Sequence, residues 1–265
     1  MRHTLETDLR QSRDKIGIIL TALILLLWGC STLPDASNAD NKLEAIKKFE
    51  AARRFEVQKD RGRMLASLVE AVRLDPDNLL FRLTLGMTYF VNNDGEKAEK
   101  EFGHVLKIDP NSKDALRMLG RLAMGKADWA QAAHYFEEDL RRPGTPLPHQ
   151  VYNWLAYCYQ NLKRYDEAEQ KWLQAIDIGE NAGIRYNLGL AYLDREKFDK
   201  AMESMKKAVD LNPDFTQAHY EMALLYMKKQ KLDKATEHLK DVIRLAPDTE
   251  LARLSQEYLK LINSK

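Results

Sequence analysis

The side chains most able to do chemistry are thinly spread. The histidines are His3, His104, His134, His149, His219 and His238, and none has a second histidine or a cysteine at the short spacing by which one helix or hairpin shares a metal ion. His219 lies four residues before Ala223 at an aromatic position of a repeated pattern, where packing is the simpler role. The acids Glu99 and Glu101, and the pair Glu137 and Glu138, sit among Lys and Arg and read as solvated helix faces. No HExxH, CxxC, P-loop, GxGxxG or GxSxG pattern occurs. The sequence therefore predicts no enzyme, no catalytic residue, no metal and no cofactor. Of the two cysteines, Cys158 lies between Ala156 and Tyr159 and reads as a small buried hydrophobe, while Cys30 has a different setting.

The elements that must carry these residues are set by a period. Residues 182–215 are followed by a near copy, 216–249, in which Tyr192 recurs as Tyr226, Ala201 as Ala235 and Pro213 as Pro247, each after 34 residues. A fixed period of this size marks a solenoid of one supersecondary unit. Within the unit, Leu188 and Tyr192 share a helix face, and Gly189 and Ala201 are small where two helices must approach closely. Pro213 stops the second helix. The order Leu188-Gly189, Tyr192, Ala201, Pro213 resembles the tetratricopeptide repeat, although the first aromatic position is Arg185. The resemblance implies an all-α fold, a right-handed superhelical solenoid of about six helix-turn-helix repeats.

Six repeats are expected, at 45–78, 79–112, 113–146, 149–181, 182–215 and 216–249, with a capping helix in 250–265 built on Leu251, Leu254, Tyr258, Leu259 and Ile262. Between the third and fourth, three prolines and a glycine in residues 143–148 cannot be helical, and Ala132 to Ala168 spans 36 residues. This is either a junction with a two-residue insertion or a bend between two three-repeat halves, and the changed register favours the bend. The composition suits a helical solenoid: 45% hydrophobic residues fill a core, and 41 basic against 40 acidic residues leave no net basic face for nucleic acid.

Upstream of the repeats, Arg2, Arg10, Arg13 and Lys15 precede an apolar run from Ile16 to Trp28, too short for the roughly 20 residues a membrane-spanning helix needs. A charged leader with a short apolar run reads as a signal peptide, 1–29. Leu27-Trp28-Gly29-Cys30 resembles a bacterial lipobox. The resemblance implies that Cys30 is acylated and becomes the mature N-terminus, and Ser31 in place of Asp implies the outer membrane, facing the periplasm. An uncleaved signal anchor in the inner membrane is the alternative. Residues 30–44, polar and without periodicity, are expected to form a flexible tether after the lipidated Cys30.

In this repeat class the first helix of each pair lines a concave groove. Its groove-facing register positions are Phe49, Arg53, Met87, Phe90, Arg117, Arg121, Met124, Asn153, Tyr157, Tyr186, Leu190, Tyr220, Leu224 and Met227. Large apolar side chains beyond those required for stacking suggest a face that binds a protein partner. Lipobox, tether, six repeats and cap together resemble the type IV pilus biogenesis lipoproteins of the PilW/PilF kind, the closest local cue being Pro146 to Asn153. That resemblance implies a pilotin-type assembly factor for a secretin subunit or another pilus assembly protein. Two alternatives stay open: a scaffold lipoprotein for cell-wall enzymes or outer-membrane protein assembly, and a signal-anchored protein with a cytoplasmic adaptor domain.

Overall fold

The computed structural model describes residues 36–264, so the expected signal peptide and the lipidation residue Cys30 lie outside the described residues. Those residues form thirteen α-helices and no strand. The chain divides into two compact units between Asn92 and Asn93. The expected second repeat therefore straddles a boundary, its two helices belonging to different units.

The first unit holds α1 (Ala36–Val57), α2 (Arg61–Leu74) and α3 (Leu79–Val91). Its core joins Ala45 and Ala52 of α1 to Leu68, Ala71 and Val72 of α2 and to Phe81 and Leu85 of α3, with Phe49 stacked on Phe81 at 4.7 Å between ring centroids. Helix α1 corrects the tether reading. It starts at Ala36, within the stretch expected to be flexible. After Pro34 that stretch has neither proline nor glycine, and extending a packed helix costs only the small per-residue propensity of its polar residues.

The second unit runs α4 (Gly95–Ile108), α5 (Lys113–Gly125), α6 (Trp129–Arg141), α7 (Pro148–Asn161), α8 (Tyr165–Gly179), α9 (Ala182–Asp194), α10 (Phe198–Leu211), α11 (Thr216–Lys228), α12 (Leu232–Leu245) and α13 (Glu250–Asn263). Helices α5 to α12 pack as consecutive antiparallel pairs. Each pair closes on small residues: Gly120 lies against Phe136, and Gly189 against the thioether of Met205. Ala132, Ala168, Ala201 and Ala235, all wholly buried or nearly so, admit the opposing helix. Within each unit, the turn between paired helices contains one residue with positive φ, at Lys59, Ala127, Lys163, Glu196 and Gln230, and Asn93 at the unit boundary has the same backbone. That left-handed residue reverses the chain within a few residues, at a cost of roughly 1–2 kcal/mol each for a side chain other than glycine.

The proline-rich junction does not divide the second unit. One buried cluster continues from Ala123 and Phe136 through Val151, Leu155 and Trp172 to Met205 and Leu225. The added residues are accommodated in a surface loop instead. Lys113 Nζ donates to the carbonyls of Arg142 (3.2 Å) and Pro143, and to Thr145 Oγ1 at 3.2 Å. Leu147 takes a left-handed conformation, and Pro148 opens α7 at a first-turn position where its missing N–H costs nothing. The terminal helix differs from expectation in its contact stripe. Ala252 and Ser255 are the fully buried residues of α13, and the larger Leu251, Leu254 and Tyr258 flank them half-buried, because a cap seated closely on α12 needs small side chains at the line of contact.

Candidate interaction face

The first helices of successive pairs touch one another directly. Arg121 of α5 lies over the Trp154 ring of α7, 5.7 Å from its centroid. Asn153 of α7 meets Asn187 of α9 at 3.1 Å. Tyr220 of α11 approaches Tyr258 of α13 with centroids 6.4 Å apart. Arg117, Asn153, Tyr186 and Tyr220 share one register position, two before the motif Leu119, Leu155, Leu188 and its counterpart Met222. Arg121, Tyr157, Leu190 and Leu224 share a second, two after it. The two positions run as parallel rows across α5, α7, α9 and α11.

Within these rows, and at Met124 and Met227 one turn further along their helices, the candidates divide by burial. Tyr157 is 42% exposed, with its ring edge-on to Trp129 at 5.6 Å. Arg121 is also exposed, whereas Tyr220, Leu224 and Met227 are half-buried. Met124, Tyr186 and Leu190 pack against the main core, and Tyr186 also lies 5.0 Å from the Phe215 ring. The expectation that the whole set is dispensable for packing is therefore corrected: these three side chains serve both the core and the surface. Burial, with the charge of Glu221, raises the Tyr186 phenol above its ordinary value.

Arg117 and Asn153 are structural. The Arg117 guanidinium is mostly buried and pairs through Nε with Asp139 Oδ2 at 3.0 Å. Asp139 is fully buried, a position that the surrounding charged sequence does not reveal. Burial pushes its carboxyl upward, against the opposing pull of Arg117 and Thr145. Asn153 Oδ1 accepts both the Trp172 indole N–H at 2.9 Å and the Asn187 amide. The indole can only donate, so the orientation of the Asn153 amide is fixed by chemistry.

In the first unit, Phe49 belongs to the core, while Met87 is 42% exposed and Phe90 half-buried. Met87 lines an open cleft of about 640 Å³ with Met64, Thr84, Thr88 and Val91. Arg53 is exposed on α1.

Glu221 carries no sequence signal as part of this face because it sits one residue from the register of Tyr186 and Tyr220. It is half-buried, it has no hydrogen-bond or ion-pair partner among the described residues, and burial raises its pKa. The acids read as solvated are also more engaged than expected. Glu137 accepts the Tyr159 hydroxyl at 2.7 Å, and Glu138 pairs with Arg141 and with Arg142 at 2.9 Å. Glu99 pairs with Lys126 at 2.6 Å. Burial, reinforced by Glu137, pushes the Tyr159 phenol up to about 12. Cys158 is fully buried, and burial pushes its thiol up to about 12, which leaves it protonated and unreactive.

Known proteins with this arrangement share the helix pairs. Family models described as tetratricopeptide repeat match residues 117–183 and 192–258, together just over half of the chain. The chain is 25% identical over 170 residues to the mouse cell division cycle protein 16 homolog, covering 61% of this chain and 27% of that protein. It is 28% identical over 133 residues to the type IV pilus assembly protein PilF of Pseudomonas aeruginosa, covering 49% of this chain and 52% of PilF. The matched segment thus spans from about a quarter to about half of these relatives. Among solved structures, PilW, a type IV pilus biogenesis factor, superposes with a TM-score of 0.70 at 18% identity, over 79% of this chain and 97% of PilW. With its recurrent helix pairs, its small residues at each closure and these matches, the chain belongs to the tetratricopeptide-repeat family.

Proposed function

We propose that this repeat protein is a lipid-anchored assembly factor of the pilotin type, which binds an apolar segment of a type IV pilus secretin subunit and holds it at the outer membrane. The observation carrying this reading is the double row on α5, α7, α9 and α11, where Tyr157, Tyr220 and Leu224, with Met227 beside them, keep apolar surface open beside a well-packed core. An amphipathic helix or an extended hydrophobic segment of a partner would cover such rows. Glu221 adds one unpaired carboxylate, which favours a partner segment with a basic side chain near its apolar anchor. Likeness to PilF and PilW supports pilus assembly as the setting. Acylation of Cys30 would supply anchoring, since each buried CH2 of an acyl chain contributes about 0.8 kcal/mol.

Two measurements test the reading. Palmitate labelling of wild type against Cys30→Ser should mark only the wild type; an unlabelled wild type removes the lipoprotein element. Detergent capture of the tagged protein should recover a secretin subunit, with recovery reduced at least tenfold by Tyr157→Ala with Leu224→Ala. Recovery of peptidoglycan enzymes without secretin would overturn the pilotin assignment.

A further inference from the structure

The last repeat brings together three side chains that the sequence keeps apart. His219 lies on α11, while His238 and Asp241 lie three residues apart on one face of α12. His219 Nδ1 is 2.9 Å from His238 Nδ1 and 3.7 Å from Asp241 Oδ2. One donor atom from each of the three residues falls within 4.8 Å of the others.

The surroundings fix these atoms. His219 is buried, and its Nε2 lies 2.9 Å from the Pro213 carbonyl oxygen. A carbonyl only accepts, so Nε2 carries the proton and Nδ1 presents a lone pair toward His238 and Asp241. A histidine whose second nitrogen donates to a backbone carbonyl is held in the orientation and tautomer of a metal ligand. The His238 ring lies parallel to Tyr226, at 8° and 5.5 Å, which sets its plane. Arg244 holds Asp241 through Oδ1 at 2.9 Å, leaving Oδ2 turned toward His219.

We propose that His219 Nδ1, His238 Nδ1 and Asp241 Oδ2 form a binding site for a divalent transition metal of the zinc class. Two ligands on one tetrahedral zinc, each about 2.0–2.1 Å from it, lie about 3.3 Å apart. The separations of 2.9 and 3.7 Å bracket that value, and with one ligand atom from each residue within 4.8 Å of the others, side-chain rotations would bring the set onto one ion. Two imidazoles and one carboxylate suit zinc, cobalt or nickel rather than magnesium or calcium, which prefer oxygen ligands. Without metal, His238 Nδ1–H donates to the lone pair of His219. With metal, the His238 proton resides on Nε2, freeing Nδ1 as a ligand and leaving the proton count unchanged. His238 and Asp241 are only half-buried, so a fourth ligand could come from water or from another molecule.

The test uses the full chain without a histidine tag, stripped with chelator. Titration with Co2+ should give the visible absorption of a four-coordinate site at one ion per chain, displaced by Zn2+, and Zn2+ should raise the unfolding temperature. His238→Gln and Asp241→Asn should each weaken Co2+ binding at least tenfold. Unchanged binding in both folded variants, or no saturable uptake by the folded wild type, would overturn the proposal. Loss of a purely structural hydrogen bond would lower stability in these variants but would not account for a lost cobalt spectrum.

Discussion

Asn153 and Asn187, 34 residues apart on α7 and α9, are joined by a 3.1 Å hydrogen bond from Nδ2 of Asn187 to Oδ1 of Asn153. The same oxygen holds the indole of Trp172, which is 1% exposed and among the largest side chains of the core. One amide therefore couples a first helix to its own partner helix and to the next repeat.

Removing that amide should expose the asymmetry between its two bonds. Asn153→Ala leaves the Trp172 N–H buried without an acceptor and should cost about 1–3 kcal/mol in urea unfolding. Asn187→Ala loses one bond at a half-buried site and should cost about 1 kcal/mol or less. Equal losses would show that the indole finds another acceptor.

Two equivalent glycines should respond differently to alanine. A Cβ at Gly120 would lie 2.5–3.0 Å from the ring of Phe136, which is fully buried and cannot retreat. Overpacking of this kind costs about 1–3 kcal/mol. At Gly189 the contact is the flexible end of Met205, at 2.8–3.0 Å, so rotamer adjustment and the better helix propensity of alanine should leave Gly189→Ala near neutral. Thermal unfolding of the two variants makes the comparison.

Helix caps differ along the chain. Asp128 caps α6 by accepting from the Gln131 backbone N–H, whereas Lys231, in the same position before α12, makes no side-chain cap. The backbone angles match: φ −83° and ψ 75° at Asp128, φ −93° and ψ 67° at Lys231. Lys231→Asp should therefore stabilise the chain by about 1 kcal/mol, read as a higher urea midpoint with an unchanged slope. A lower midpoint would mean that the lysine makes a contribution of its own.

Acid should unfold the protein partly through Glu169. Burial pulls this carboxyl upward, but hydrogen bonds from Lys200 and Tyr192 and the charge of Lys197 together hold it below the ordinary value of 4.5. A depressed folded-state pKa gives stability that is present above the unfolded value and lost as pH falls through the folded one. The unfolding temperature should drop below about pH 4.5, and Glu169→Gln should flatten that part of the profile while lowering stability at pH 7. An unchanged acid limb would assign the loss to other carboxylates.

The helix pairs were legible because each pairing reuses the same small and large side chains at a constant interval. Leu188, Tyr192 and Ala201 are buried where the period puts them. Features that depend on contacts between different helices had no such signal. His219 and His238 are 19 residues apart on two helices, and only helix packing makes them neighbours. Asp139 sits in a run of charged residues, yet Arg117 from the preceding helix and Thr145 from the proline-rich loop enclose it. The interaction face was legible in register but not in burial: helical spacing identifies a row, while the depth of Tyr186 or Leu190 is set by the adjoining helices.

The extra length of α1 changes what the segment before the first repeat can transmit. From Ala36 to Ala45, where burial in the core begins, nine steps at about 1.5 Å make a stiff rod of about 13.5 Å. A slack chain would fix only the distance between an attachment point and the repeats. A helix continuous with α1 also conveys direction, so a restraint applied to its first turn acts on the opening repeat as a lever and sets the heading of that unit.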